Sequence, residues 1–418
     1  VLNSAAMGKL TRRARATADY LVFVGAGEWP VAVSALGVVL GAVTILPSAF
    51  GVVVSIVALL LGLLTLVRDI RLLRKRWAGY EFTAIVAPFP IADTPPPQSY
   101  PDAQYLVVPS RGTALVSDAI DAALAETAFS ITVAEDPYRL PAKLKATAPH
   151  VLPLRARGRL LFNGPIVGMR GEPLPVAGAR PAPIVLHRAR FFDAVCSNEL
   201  ASLRITNSAD GHEYDLRNEE LTDSSGALRT LGASTLADLV GVSTIAFTSD
   251  GLLVVVRQSA RNSASGLLLA PSGSGSLEPR DLLTPQGGTR RTLHTAVCAG
   301  MERELCEEAA VRPNEISETR LTGFARWLER GAKPEFFGVT RLSVDSTELT
   351  SRRAKGAERL YSAGVTVLEI DLAALGEELA DGVPVGEANA LPPRLRDDSS
   401  LPLLLCLRSA ALRVSTRS

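Results

Sequence analysis

The chain is short of the residues that build thiolate or imidazole metal sites, and of the charge excess that draws a protein to nucleic acid. Its 418 residues include four cysteines and four histidines. Cys196, Cys298, Cys306 and Cys406 form no close CxxC pair, so a zinc site lacks its donors. A reduced, cytosolic setting is expected for the folded part. The formal net charge is +1, which gives no global attraction for nucleic acid.

One stretch lacks charge altogether. From Trp29 to Val67 no side chain is ionisable, a run about twice the 20 or so residues that one bilayer span needs. It starts too late and runs too long for a cleaved signal peptide. Two transmembrane helices, 29–46 and 49–67, are expected, turning at Pro47-Ser48; a buried hairpin of a soluble protein is the alternative. Arg12, Arg13 and Arg15 precede the run, and Arg68, Arg71, Arg74, Lys75 and Arg76 follow it. Positive flanks on both sides predict a multi-pass protein of the cell membrane, with both termini and the soluble domains cytoplasmic. The bilayer is then a partner, and the segment before the run suits an amphipathic helix at its surface. Gly37, Gly41, Ala42, Ser55 and Gly62 allow close helix contact, compatible with a homo-oligomer. No acidic residue or histidine lies within the spans, so the hairpin is an anchor rather than an ion pathway.

Beyond this N-terminal segment (1–78), residues 79–240 read as an α+β domain. Thr83–Val86 and Tyr105–Val108 suggest strands, Pro88–Pro101 a linker, and Ala114–Thr127 a helix. His187 lies beside an apolar strand, as a structural histidine or a ligand. Residues 241–383 form the next domain, and 384–418 a loop and a terminal helix over Leu401–Val414. In 241–383, Ser243–Phe247 and Leu252–Arg257 flank Thr248-Ser249-Asp250-Gly251, a hairpin turn. Leu321–Trp327 and Glu335–Leu342 read as further strands, Val365–Ile370 as the last strand, and Asp371–Ala380 as a closing helix. Between them, Leu293, Val297, Met301 and Leu305 recur every fourth residue on a helix starting near Thr292. Glu304, Glu307 and Glu308 crowd the neighbouring face. Like charges at i, i+3 and i+4 repel by roughly 0.2–0.5 kcal/mol per pair, so something must offset them. A hard cation such as Mg²⁺ would do so. The bland alternative is a solvated acidic face with Arg303 paired to Glu307.

Arg303-Glu304-Leu305-Cys306-Glu307-Glu308 resembles the second half of the Nudix box, the metal-binding helix of hydrolases acting on nucleoside diphosphates linked to other groups. Ala310 stands where that family has glycine. A displaced first half is sought in Pro271-Ser272-Gly273-Ser274-Gly275-Ser276-Leu277-Glu278. The resemblance implies an α/β fold: a Nudix-like α/β/α sandwich, preceded by the transmembrane hairpin and the additional α+β domain. It implies Mg²⁺ or Mn²⁺ on Glu304, Glu307 and Glu308, with Glu278 as a further ligand. Glu308 would be the base, with Glu304 a further catalytic carboxylate, and Arg303 would orient them. Ser272, Gly273, Ser274 and Gly275 would approach phosphate, and Arg326, Trp327 and Glu335 would add substrate or metal contacts; Trp327 in the core of an ordinary surface loop is the alternative.

The function expected is a membrane-anchored, metal-dependent hydrolase of a phosphoanhydride in a nucleotide-like small molecule. The alternative is a nucleotide-binding membrane sensor or effector, whose two-span layout resembles that of some bacterial anti-phage effectors. No specific nucleic-acid partner is indicated.

Overall fold

A computed structural model describes residues 4–25, 56, 59–60, 62–71, 79–84, 89, 91–156, 160–175, 181–208, 211, 213–214, 217–258, 268–290, 292–352 and 362–415. They fall into two compact units that do not follow chain order. One comprises Val1–Ile85, Arg139–Gly164 and Arg190–Asp215; the other comprises Val86–Tyr138, Pro165–Ala189 and Leu216–Ser418.

In the first unit, the strand Tyr80–Ala84 pairs antiparallel with Leu203–Asn207, which pairs in turn with Glu213–Tyr214. The N-terminal helix Ser4–Gly25 packs in this unit through its last turns. Phe23 is buried edge-on to Phe192 at 5.4 Å, and Asp19 accepts a hydrogen bond from the Asn163 amide at 3.0 Å.

The expected transmembrane hairpin is corrected. Residues 29–46 and 49–55 lie outside the described residues, and the continuous helical piece that is described, 62–71, includes Arg68, Asp69 and Arg71. No helix among the described residues is long and apolar enough to cross a membrane. The bilayer partner and the multi-pass topology are withdrawn with it.

The second unit is built on a nine-stranded mixed sheet. Its strands are β1 (Gln104–Val108), β2 (Gly112–Val116), β3 (Gly241–Phe247), β4 (Leu253–Gln258), β5 (Leu269–Ala270), β6 (Gly273–Ser276), β7 (Ile316–Trp327), β8 (Lys333–Leu342) and β9 (Ser362–Leu368). The hydrogen-bonded path runs β5-β4-β3-β8-β7-β2-β1, with β6 added to β3 and β9 to β4. The β3–β8 pairing is parallel, and the other pairings are antiparallel. Thus β1 and β2, which the sequence placed in a preceding α+β domain, extend the main sheet. The expected Ala114–Thr127 helix is a strand to Val116, followed by helix α1 (Asp118–Glu126). The fully buried run Ala114-Leu115-Val116 reads alike for a strand or a helix core. The boundary is set by Ser117, whose hydroxyl accepts from the Ile120 amide at 3.1 Å and caps α1.

Helix α2 (Leu293–Glu308) covers one face of the sheet. Its apolar stripe is as the sequence indicates: Leu293, Val297, Met301 and Leu305 are all buried. Helices α3 (Leu372–Ala380) and α4 (Leu401–Ser415) pack on the opposite face, completing an α/β/α arrangement. Every residue of α4 from Leu401 to Ala411 is buried, in one cluster with residues of β1, β2, β3, β4, β5, β7 and β8. The sheet curls around this helix. At its start, the Ser400 amide donates to Leu269 of β5 at 2.8 Å, while Gly112 of β2 lies against Leu401. Each apolar side chain so buried contributes roughly 1.5–3 kcal/mol, so α4 is a core element and not an appendage.

Candidate functional site

The site forms where β6 meets α2. Residues 269–276 make one bent strand: β5 pairs with β4, then β6 crosses to the beginning of β3. Ser272 sits at the crossing, fully buried. Its hydroxyl donates to the Val254 carbonyl and accepts from the Ala246 amide at 2.6 Å, filling the gap where β3 and β4 part. That bonding gives Ser272 a structural task, and it does not offer its hydroxyl to a phosphate.

Glycine is needed on β6 for a steric reason. A Cβ on Gly273 would lie 2.6 Å from the Leu305 Cα and would also overlap the Leu305 amide. A Cβ on Gly275 would overlap the Glu304 carboxylate. The strand therefore lies directly on the last turns of α2. Ser274 donates its amide to Glu308 at 2.9 Å, with its hydroxyl at 3.3 Å. So the Gly-Ser stretch presents its donors to the acidic helix as part of a sheet, not as an open phosphate loop.

Arg303 is the hub. Its Nε and Nη2 donate to the two carboxylate oxygens of Asp281, each at 2.9 Å, a bidentate pair. Nη2 also donates to the Ser276 carbonyl at 2.8 Å, and Nη1 donates to Glu304 at 2.7 Å. Glu307 lies at 3.5 Å from Nη1, the i, i+4 contact of the bland reading. Arg280 adds a second bridge, Nε to Glu278 at 2.7 Å and Nη2 to Glu307 at 3.1 Å. Burial disfavours charge on Arg303, but the hydrogen bonds and charges of Asp281 and Glu304 outweigh it and hold the guanidinium protonated. Burial pushes the Glu304 carboxyl up to about 7; Glu307 and Glu278 add to the rise, and Arg303 opposes it.

The carboxylates thus converge, and arginines lie among them. Glu304 is engaged by Arg303, Glu307 by Arg303 and Arg280, Glu278 by Arg280, and Glu308 by Ser274. No group of three or more His, Cys, Asp or Glu among the described residues is arranged to hold a metal ion. The expected metal-dependent, membrane-anchored hydrolase is therefore corrected on both counts. The membrane-sensor alternative rests on the same anchor and is withdrawn with it.

Three other expected site residues lie elsewhere. Arg326 is buried, its Nε donating to the Ala332 carbonyl at 2.9 Å and its Nη1 to the Arg229 carbonyl, with Glu172 at 3.8 Å. It ties loops together. Trp327 is in the core beneath α4. Glu335 points to the α4 face of the sheet, opposite α2, where it pairs with buried Lys333 and lies near the Ser243 hydroxyl. His187 is structural: its Nε2 is 3.0 Å from the Ala237 carbonyl and its ring stacks on Tyr138. Burial, with Arg170 nearby, lowers its pKa to about 4.

Sequence reasoning missed Asp281 and Arg280. The available signal was local, since Glu278-Pro279-Arg280-Asp281 is a short capped turn in which Asp281 accepts from the Glu278 amide at 2.8 Å. Beside these residues runs a cleft of about 500 Å³, lined by Arg280, Arg290, Arg303 and Glu307 among others. Arg290 has no ion pair among the described residues, which leaves one uncommitted cation on the wall next to the cluster.

No family profile matches the chain, and no curated protein matches it. Among solved structures, the crystal structure of DR0079 from Deinococcus radiodurans gives a TM-score of 0.24 at 17% identity, over 41% of this chain and 82% of that one. The crystal structure of MutT protein from Methanosarcina mazei Go1 gives 0.21 at 13% identity, over 40% of this chain and 91% of that one. Both are weak, low-identity likenesses, and neither carries a function to this chain.

Proposed function

We propose that the chain is a Nudix-type hydrolase acting on a phosphate-bearing small molecule, with its chemistry at the junction of β6 and α2. The observation that supports this reading best is geometric. Two glycines with no room for a Cβ seat a strand on the acidic end of α2, where Glu304 is held by Arg303, which lines a cleft together with Arg280, Arg290, Asp281, Glu302 and Glu307. Glu304 is the base in this reading. It accepts a proton from a water molecule as the water oxygen forms a bond to phosphorus, and the bridging P–O bond breaks with its electron pair leaving on the departing oxygen. A carboxylate with a proton affinity near neutral suits that transfer. Arg290 and Arg280, at the cleft, stabilise the added negative charge. No step is assigned to a metal, because the carboxylates are paired with arginine and serine.

The test is turnover of a panel of nucleoside-diphosphate-linked compounds by the whole chain. Each is assayed in EDTA and, separately, with Mg²⁺ or Mn²⁺, against Glu304→Gln. Turnover in EDTA that is lost in the variant supports the reading. Turnover confined to the metal arms would overturn the metal-free step, and turnover retained by Glu304→Gln would remove Glu304 as the base. An absence of turnover throughout would remove the hydrolase reading.

A further inference from the structure

At the open edge of β7, away from the carboxylate cluster, lies a cleft of about 1020 Å³, lined by residues of α4 and by His294 of α2. It follows the half of β7 that β2 does not reach, since β2 pairs only with Ala325–Trp327. Arg320 and Arg341 come together here through strand register. Glu318 stands opposite Arg341 in the β7–β8 ladder, and Arg320 is two residues further along the same face. Arg341 is exposed, rests on the Phe247 ring at 5.2 Å and has no ion pair among the described residues. Arg413, in the last turn of α4, lines the same cleft. Against Arg320 and Arg341 the cleft wall offers one carboxylate, Glu318, held by Arg320 at 2.6 Å. Val339 and Leu372 supply apolar surface beside the charges.

Two bland accounts cover part of this arrangement. A basic residue complements the end of a helix, which accounts for Arg413. A surface ion pair accounts for Arg320 with Glu318. Neither explains why Arg341 stands over an apolar floor in a cleft large enough for a small ligand.

We propose that this cleft binds a small organic anion, whose phosphate or carboxylate group is held by Arg341 and Arg320 and whose apolar body rests on Val339 and Leu372. The site is separate from the one at β6 and α2, and does not depend on that reading. Guanidinium donors suit either anion, because both present paired oxygens to the planar fork.

The experiment uses 1-naphthyl phosphate as a fluorescent probe, titrated into the whole chain at low and at high salt. Inorganic phosphate, 1-naphthol and 1-naphthoate are run in parallel. The expected result is binding with a Kd of about 0.1 mM that weakens with salt. Inorganic phosphate and 1-naphthol each bind more weakly than the probe, because each lacks one half of the ligand. Binding of 1-naphthoate as tight as the probe's assigns a carboxylate ligand, and weaker binding assigns a phosphate. The double variant Arg320→Gln/Arg341→Gln, both residues being exposed, is expected to keep the parent melting temperature and lose about tenfold or more in affinity. The proposal is overturned if the whole chain does not bind the probe, or if the double variant binds it as well as the parent does.

Discussion

Placing a methyl group on β6 should separate two consequences of the same close contact. In Gly273→Ala the new Cβ meets the backbone of Leu305, which cannot move without shifting α2. In Gly275→Ala it meets the carboxylate end of Glu304, which can swing away, but only by leaving Arg303. Overpacking of a fitted contact costs typically about 1–3 kcal/mol. Gly273→Ala belongs at the upper end and Gly275→Ala at the lower. At roughly 2–4 °C per kcal/mol, the calorimetric transition of the larger unit should fall by up to about 10 °C in Gly273→Ala, and by only a few degrees in Gly275→Ala. Turnover should show the opposite contrast per degree of stability lost, because Gly275→Ala displaces the base itself. The argument from close contact is refuted if Gly273→Ala melts like the parent, or if Gly275→Ala is the more destabilising of the two.

Further predictions concern backbone, core and titration. Ala310, immediately after α2, has φ +56°, a left-handed conformation that glycine adopts freely. Ala310→Gly should stabilise the chain by about 1 kcal/mol, and a lower melting temperature would contradict this. Arg326→Gln should destabilise by roughly 3–5 kcal/mol, because it leaves Glu172 and two carbonyls without a buried cation, and naphthyl phosphate affinity at fixed folded fraction should not change. His187, with its folded pKa lowered to about 4, contributes stability that is present above its unfolded value of 6.5 and lost as pH falls toward 4. Its NMR titration should show a midpoint near 4, and a midpoint near 6.5 would refute its burial.

Local features were the legible ones. The four-residue spacing of Leu293, Val297, Met301 and Leu305 encodes α2, and Asp250-Gly251 encodes the β3–β4 turn, with Gly251 at φ +85°. The apolar run from Leu401 encodes α4, although not that the sheet would curl around it. What the sequence concealed is non-local. Nothing in residues 112–116 says that they pair with β7 some two hundred positions later. The crowding of Glu304, Glu307 and Glu308 is legible in the sequence. Arg303, its role read from the motif, and Arg280, brought in by a separate turn, are the cations beside them. The sequence reads Arg326 as a substrate contact from its place in the β7–β8 hairpin. Strand alternation carried the better signal: Ala325 and Trp327 face α4, so Arg326 projects to the other side of β7, into a buried network.

The most direct test of the central claim is the pH dependence of kcat/KM for the best substrate of the panel, measured in EDTA for the parent and for Glu304→Gln. A base must be ionised to act, so the parent rate should rise with pH through a midpoint of about 7. Because the folded pKa of Glu304 is raised above its unfolded value of 4.5, the fold disfavours its ionised form, and the associated stability is lost as pH rises from 4.5 through 7. Glu304→Gln should therefore melt no lower than the parent at pH 8, which makes it a folded control. The account predicts that this variant loses the limb near 7 and about a hundredfold or more in rate. A folded variant that keeps the parent's rate and profile would contradict it.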